Sequence, residues 1–106
     1  LDYEVVQLTS GHENPIDTPL FKLICKNTAE ADPGSHVIPM LTVGFTDAYY
    51  LKKLGVYCYG FTPIQLPADM PFPQLYHGHN ERVPVEGFRW GLDLFLKTVQ
   101  EFVTGG

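Results

Sequence analysis

The chain has 106 residues, 44% of them hydrophobic and 18% charged, with twelve Asp and Glu against seven Lys and Arg for a formal charge of -5. That is the size and makeup of one ordinary domain with a single core. No apolar run approaches the roughly 20 residues needed to cross a bilayer, and the basic residues never gather into a stripe that follows a phosphate backbone; neither a membrane nor a nucleic acid is an expected partner. Cys25 and Cys58 stand far apart in no metal-ligand spacing and read as buried reduced thiols rather than a disulfide framework. The chain opens at Leu1 with no initiator Met and no basic-then-apolar leader, as a fragment or a processed product would, and its compartment stays open.

In chain order, residues 2–9 read as a strand, because Tyr3, Val5, Val6 and Leu8 are β-prone and Ser10-Gly11 stops the run. After a polar stretch over 11–17, Thr18 is placed to cap a helix over 18–30, with Pro19 in its first turn and Leu20, Leu23, Ile24 and Asn27 at helical spacing. Residues 36–43 are apolar and β-branched and predict a strand, with Pro39 demanding an edge or a bulge. Gly44-Phe45-Thr46-Asp47 follows, with Thr46 as the expected N-cap of a short helix over 46–54 that Gly55 ends. A second core-type strand is expected over 56–61, next to the first in one sheet. Residues 62–83 are proline-rich and aperiodic and read as a long loop. The clearest helix covers 84–103: Phe88, Leu92, Phe95, Leu96 and Val99 form a stripe expected to face the sheet, while Gly87 and Gly91, one turn apart, invite close approach of another backbone. Strand, helix and strand with short joints make an α/β pattern.

Reactive side chains concentrate in Tyr76-His77-Gly78-His79-Asn80-Glu81-Arg82, in the loop before the last helix. A neutral imidazole is a common zinc ligand whose second nitrogen needs an acceptor, and Glu81, four residues beyond His77, is placed to provide one. The alternative is two surface histidines beside a polar turn; one His and one Glu do not complete a four-coordinate site. Gly44-Phe45-Thr46-Asp47 offers free N–H groups at a helix start to a carboxylate or an oxyanion, or is an ordinary N-cap with Asp47 in the first turn. His12 and His36 have no partner spacing. There is no serine nucleophile elbow, phosphate-binding glycine loop or helical histidine pair.

Taken together, Gly44-Phe45-Thr46-Asp47-Ala48, Gly55-Val56-Tyr57-Cys58-Tyr59-Gly60-Phe61-Thr62-Pro63 and His77-Gly78-His79-Asn80-Glu81-Arg82-Val83 resemble, in order and spacing, the C-terminal catalytic segment of the aminoacylase and carboxypeptidase S family of di-zinc metallopeptidases. The likeness covers about residues 16–104. It implies that residues 11–106 are the C-terminal portion of a three-layer α/β catalytic domain, with residues 1–10 the strand or crossover returning from a lid or dimerisation domain. It implies two divalent metal ions, most simply zinc, with His77 the last protein ligand, Glu81 and Asp47 supporting, and Gly44 and Thr46 lining the substrate pocket. The other ligands and the general base, a Glu, would belong to the N-terminal half of the same catalytic domain, which is thus an expected partner, and the parent enzyme could be a homodimer. The implied reaction is hydrolysis of an amide next to a free carboxylate, in N-acyl amino acids or peptides, by the parent and not by this chain alone. Phe45 and Ala48 depart from residues common in the family and bear on substrate choice. The competing reading is a non-enzymatic module that binds a peptide or a partner through the region near Gly44 and His77.

Overall fold

Thr18 and Pro19 start the first helix. Thr18 is extended and its hydroxyl accepts the Phe21 N–H at 3.3 Å, while Pro19 sits in the first turn, where a missing N–H costs nothing. The computed structural model describes residues 2–6, 11–42 and 44–105, with four helices in the order α1 (Pro19–Ala31), α2 (Ala48–Lys52), α3 (Phe72–Leu75) and α4 (Val85–Thr104). Gly105 closes α4 in the left-handed conformation, φ 79°, that glycine adopts without strain. No helix among the described residues is long and apolar enough to cross a membrane.

The α/β expectation is overturned. The described residues contain no strand and no sheet, so they do not build a three-layer α/β domain. Residues 37–42 and 56–61, expected as neighbouring strands, run without a ladder, and residues 2–6 do the same. Strand propensity measures how a β-branched or aromatic side chain fits a paired, half-buried surface, and no described segment here supplies the pairing. Residues 1, 7–10 and 43, which belong to the expected strands, and so part of the expected returning strand over 1–10, lie outside the described residues.

The two long helices hold each other through polar groups. Asn27 of α1 and Thr98 of α4 are sealed from solvent, at 0% and 2% exposure, and the Asn27 amide donates to the Thr98 hydroxyl at 3.2 Å. Thr98 passes its own proton to the Leu94 carbonyl at 2.8 Å. At the rim, Lys97 bonds Glu30 at 2.6 Å across the helix pair, and Lys26 lies 3.7 Å from Glu101. Apolar burial is sparse: among the described residues only Ile24, Leu75 and Leu94 are buried hydrophobics. The radius of gyration, 16.8 Å, exceeds the about 13 Å of a compact domain of this length.

A second correction concerns α4. Its buried positions are Gly87, Gly91, Leu94 and Thr98, while Phe88, Leu92, Phe95, Leu96 and Val99, expected to face a sheet, remain exposed. The cause is the glycine pair. The backbone of residues 63–65 crosses α4 there, and a methyl on Gly91 or Gly87 would collide with the carbonyl oxygen of Pro63 or Gln65 respectively. Only a face without side chains admits that crossing, so the small side turns inward and the apolar stripe turns outward. Phe95 keeps one partner, stacking on Phe61 at 6.3 Å.

Two outcomes test this packing. Gly91→Ala should lose about 1–3 kcal/mol in a urea titration, because the crossing backbone has to lift away. The second concerns pH. The Glu30 carboxyl is held below its ordinary 4.5 chiefly by the hydrogen bond from Lys97, and Lys97 is held above its ordinary 10.5 chiefly by the same bond. A lowered acid contributes above its unfolded value and loses that contribution as pH falls through the folded one; a raised base contributes below its unfolded value and loses it as pH rises through the folded one. The Tm difference between the chain and Lys97→Met should therefore be present at about pH 7 and shrink as pH falls below the ordinary carboxylate range, remaining small because both groups are exposed.

Candidate functional site

A broad cleft of about 1160 Å3 opens between the segment before α1, residues 37–42, the turn into α2 and residues 58–61. Its floor is anchored by Tyr59. The phenol donates to the Pro15 carbonyl at 2.5 Å and, having spent its proton there, receives the Thr18 hydroxyl at 2.7 Å. Its ring tilts against Phe21 at 5.5 Å, and Asn14 donates to the neighbouring Cys58 carbonyl at 2.6 Å. These bonds tie a segment without a ladder to the start of a helix 41 residues earlier in the sequence. Both thiols, Cys25 and Cys58, are free and half-buried.

Gly44 and Thr46, the expected pocket residues, both line this cleft. Their local structure differs from expectation. The residue before α2 is Asp47 rather than Thr46; it is helical in conformation, and its side chain makes no capping bond. Helix α2 covers five residues instead of the span 46–54. So short a helix offers little dipole to an anion, which leaves the Gly44 amide and the Thr46 hydroxyl as local contacts.

Phe45 turns its ring onto Tyr49 and Tyr50, each at 5.8 Å, and the Lys53 ammonium lies 4.5 Å from the centre of the Tyr49 ring. A second cavity of about 440 Å3 adjoins the cleft at residues 11–13 and Leu41 and is edged by Lys52. Sequence reasoning missed Lys52, Tyr49 and His12 as lining residues. Tyr49 and Lys52 were visible only as members of a short helix, and His12 had no motif around it; their convergence is a long-range fact.

His77 stands elsewhere. Helix α3, which interrupts the expected long loop, buries Leu75 and ends in a tight turn where the Gly78 N–H donates to the Leu75 carbonyl at 2.9 Å. His77 and Asn80 both occupy positive φ, 54° and 59°, a region few residues other than glycine adopt. The His77 ring meets Tyr76 edge-on at 5.3 Å and is exposed. Its close ring neighbour is thus Tyr76, while Glu81 is exposed and Arg82 folds back to the Asn80 carbonyl at 3.1 Å. Neither His77 nor Glu81 lines the cleft.

As for the implied zinc pair, the described residues contain no group of three or more His, Cys, Asp or Glu able to hold an ion. By themselves they do not fit the two-metal centre. His77 is one solvent-accessible imidazole.

No family model, no curated protein and no solved structure matches this chain.

The Tyr59 anchor is testable. Tyr59→Phe removes the proton from the Pro15 carbonyl and should cost about 1–2 kcal/mol in chemical denaturation, with amide exchange rising at residues 58–60.

Proposed function

We infer that this chain supplies a substrate-binding wall and one metal-ligating imidazole, His77, to a zinc-dependent amidohydrolase that cleaves an amide next to a free carboxylate, in N-acyl amino acids or peptides. The supporting observation is the ordered set of Gly44-Phe45-Thr46-Asp47, Gly60-Phe61-Thr62-Pro63 and His77-Gly78-His79-Asn80-Glu81-Arg82. The first two groups contribute to one cleft, and the third holds its leading imidazole open to solvent on a wound turn.

In this account the chain's own residues bind and orient. Gly44 and Thr46 offer an amide and a hydroxyl to the substrate, and Asp47 belongs to the turn that carries them. When bound, the ions of such a hydrolase would serve to polarise the amide carbonyl and activate water; His77 would hold one of them, and the remaining ligands and the general base would come from residues beyond these 106. The exposed stripe of α4, Phe88, Leu92, Phe95, Leu96 and Val99, is the face against which that remaining catalytic portion packs, since large apolar patches on a surface mark contact sites.

A binding module that uses the cleft alone is the competing account. One observation favours it: His77 does not line the cleft. The experiment separates the two. By calorimetry the 106-residue chain should bind zinc far more weakly than the roughly 10 kcal/mol or more of a complete structural site, and it should release no amino acid from N-acetyl amino acids. In the enzyme assembled with the remaining ligands, His77→Ala should abolish hydrolysis and His79→Ala should leave more of it. Tight stoichiometric zinc binding or turnover by this chain alone contradicts the proposal, and an active His77→Ala enzyme hands the case to the binding module.

A further inference from the structure

Six apolar residues of α4 recur with a period slightly shorter than that of the helix itself. Val85, Phe88, Leu92, Phe95, Val99 and Phe102 are separated by three, four, three, four and three positions, the alternation that lines up a seam between two helices. All six are between 42% and 63% exposed. At about 100° per residue, the seam runs roughly a quarter of a turn round α4 from Thr98, which meets Asn27 of α1. The second helix that the seam fits is therefore not α1. Leu96 and Val103 flank it on the side away from α1 and are exposed as well.

We propose that the free chain covers this seam with a second copy of itself, α4 against α4 in the antiparallel sense. In that register Val85 meets the partner's Phe102, Phe88 the partner's Val99 and Leu92 the partner's Phe95. The two-fold axis, at the level of Asp93 and Leu94, repeats each contact, so all six positions find a mate. Every phenyl ring then lies against an aliphatic side chain, and the two helix dipoles oppose each other. A parallel pair would stack Phe88, Phe95 and Phe102 on their own copies, in the layers where two-stranded coils take leucine. The area is sufficient for a dimer. With Leu96 and Val103, the seam offers on the order of 600 Å2 of open surface per copy, so the pair covers about 1,200 Å2, the lower bound of a standard interface. A seam this short makes a weak dimer, with a Kd of about 10 to 100 µM.

The pairing needs no metal, no lid or dimerisation domain and no hydrolase activity. In the assembled enzyme the same stripe is covered by the remaining catalytic portion, so the two associations exclude each other and the pair of copies belongs to the free chain. Sedimentation velocity on the 106-residue chain between about 1 and about 500 µM measures it. The weight-average mass should climb from one copy toward two and stop there, because a two-fold contact closes on itself. Leu92→Glu brings two carboxylates into the middle of the seam and should raise the dissociation constant at least about tenfold, with the circular dichroism spectrum unchanged. Val99→Glu should do the same. Met40→Glu, in the other exposed apolar stretch of the chain at 84% exposure, should leave the mass curve as it is. For the register, Phe88→Cys and Val99→Cys chains, each also carrying Cys25→Ser and Cys58→Ser, are mixed and oxidised. The mixed disulfide should form in preference to either homodimer.

A chain that stays monomeric throughout, or that grows past two copies, overturns the proposal. So does pairing that is lost in Met40→Glu and kept in Leu92→Glu. A Phe88→Cys homodimer that forms in preference to the mixed disulfide overturns the antiparallel register. The amidohydrolase reading stands or falls separately, on the His77→Ala enzyme.

Discussion

The carbonyls of Pro63 and Gln65 come to rest on α4 where Gly87 and Gly91 carry no side chain, and most of the architecture follows from that crossing. It selects which side of α4 faces inward, places Leu94 and Thr98 on that side, and so brings Thr98 to the Asn27 amide of α1. It also pins the end of the 56–61 segment, whose other end is bound by Tyr59 and Cys58 to the residues leading into α1. The cleft is the space left between these two attachments.

The interior contact between the helices is polar at its centre. The Asn27 carbonyl oxygen is buried with no hydrogen-bond partner among the described residues, as are the hydroxyls of Thr28 and Ser35. Such groups cost stability, about 1–3 kcal/mol each, and the ion pairs at the rim are too exposed to offset much of it. What the polar centre contributes is register. Asn27 meets one hydroxyl on α4, and sliding either helix by a turn would break that bond.

Local signals in the sequence were sufficient for the helices and not for their surroundings. Thr18-Pro19 and Gly105 carry their own start and stop chemistry, and both ends of α1 and α4 fall within a residue or two of where capping rules put them. The Gly87–Gly91 pair announced a close backbone crossing but not its identity, since residues 63–65 are more than 20 positions away. The expected strands failed for the opposite reason: Val37, Ile38, Val56 and Tyr57 have strand-forming side chains, but a strand is a relation between segments and no described partner supplies it. Of the residues lining the cleft and its side cavity, Gly44 and Thr46 stood out in a sequence motif, whereas Lys52 and His12 join them only where the turn into α2 and the segment before α1 meet.

The outward-facing stripe of α4 also shapes the thermodynamics of the whole chain. Both the heat capacity of unfolding and the slope of stability against denaturant scale with the apolar surface newly exposed. With Phe88, Leu92 and Phe102 about half exposed and Val103 mostly so, and three buried hydrophobics among the described residues, unfolding has less further apolar surface to wet than in a well-packed domain. The stability curve of such a chain should be shallower in temperature, and its unfolding less steep in denaturant, than those of a well-packed domain of the same length. A partner that covers the stripe would sharpen both, turning a gradual loosening into a single transition whose midpoint depends on concentration.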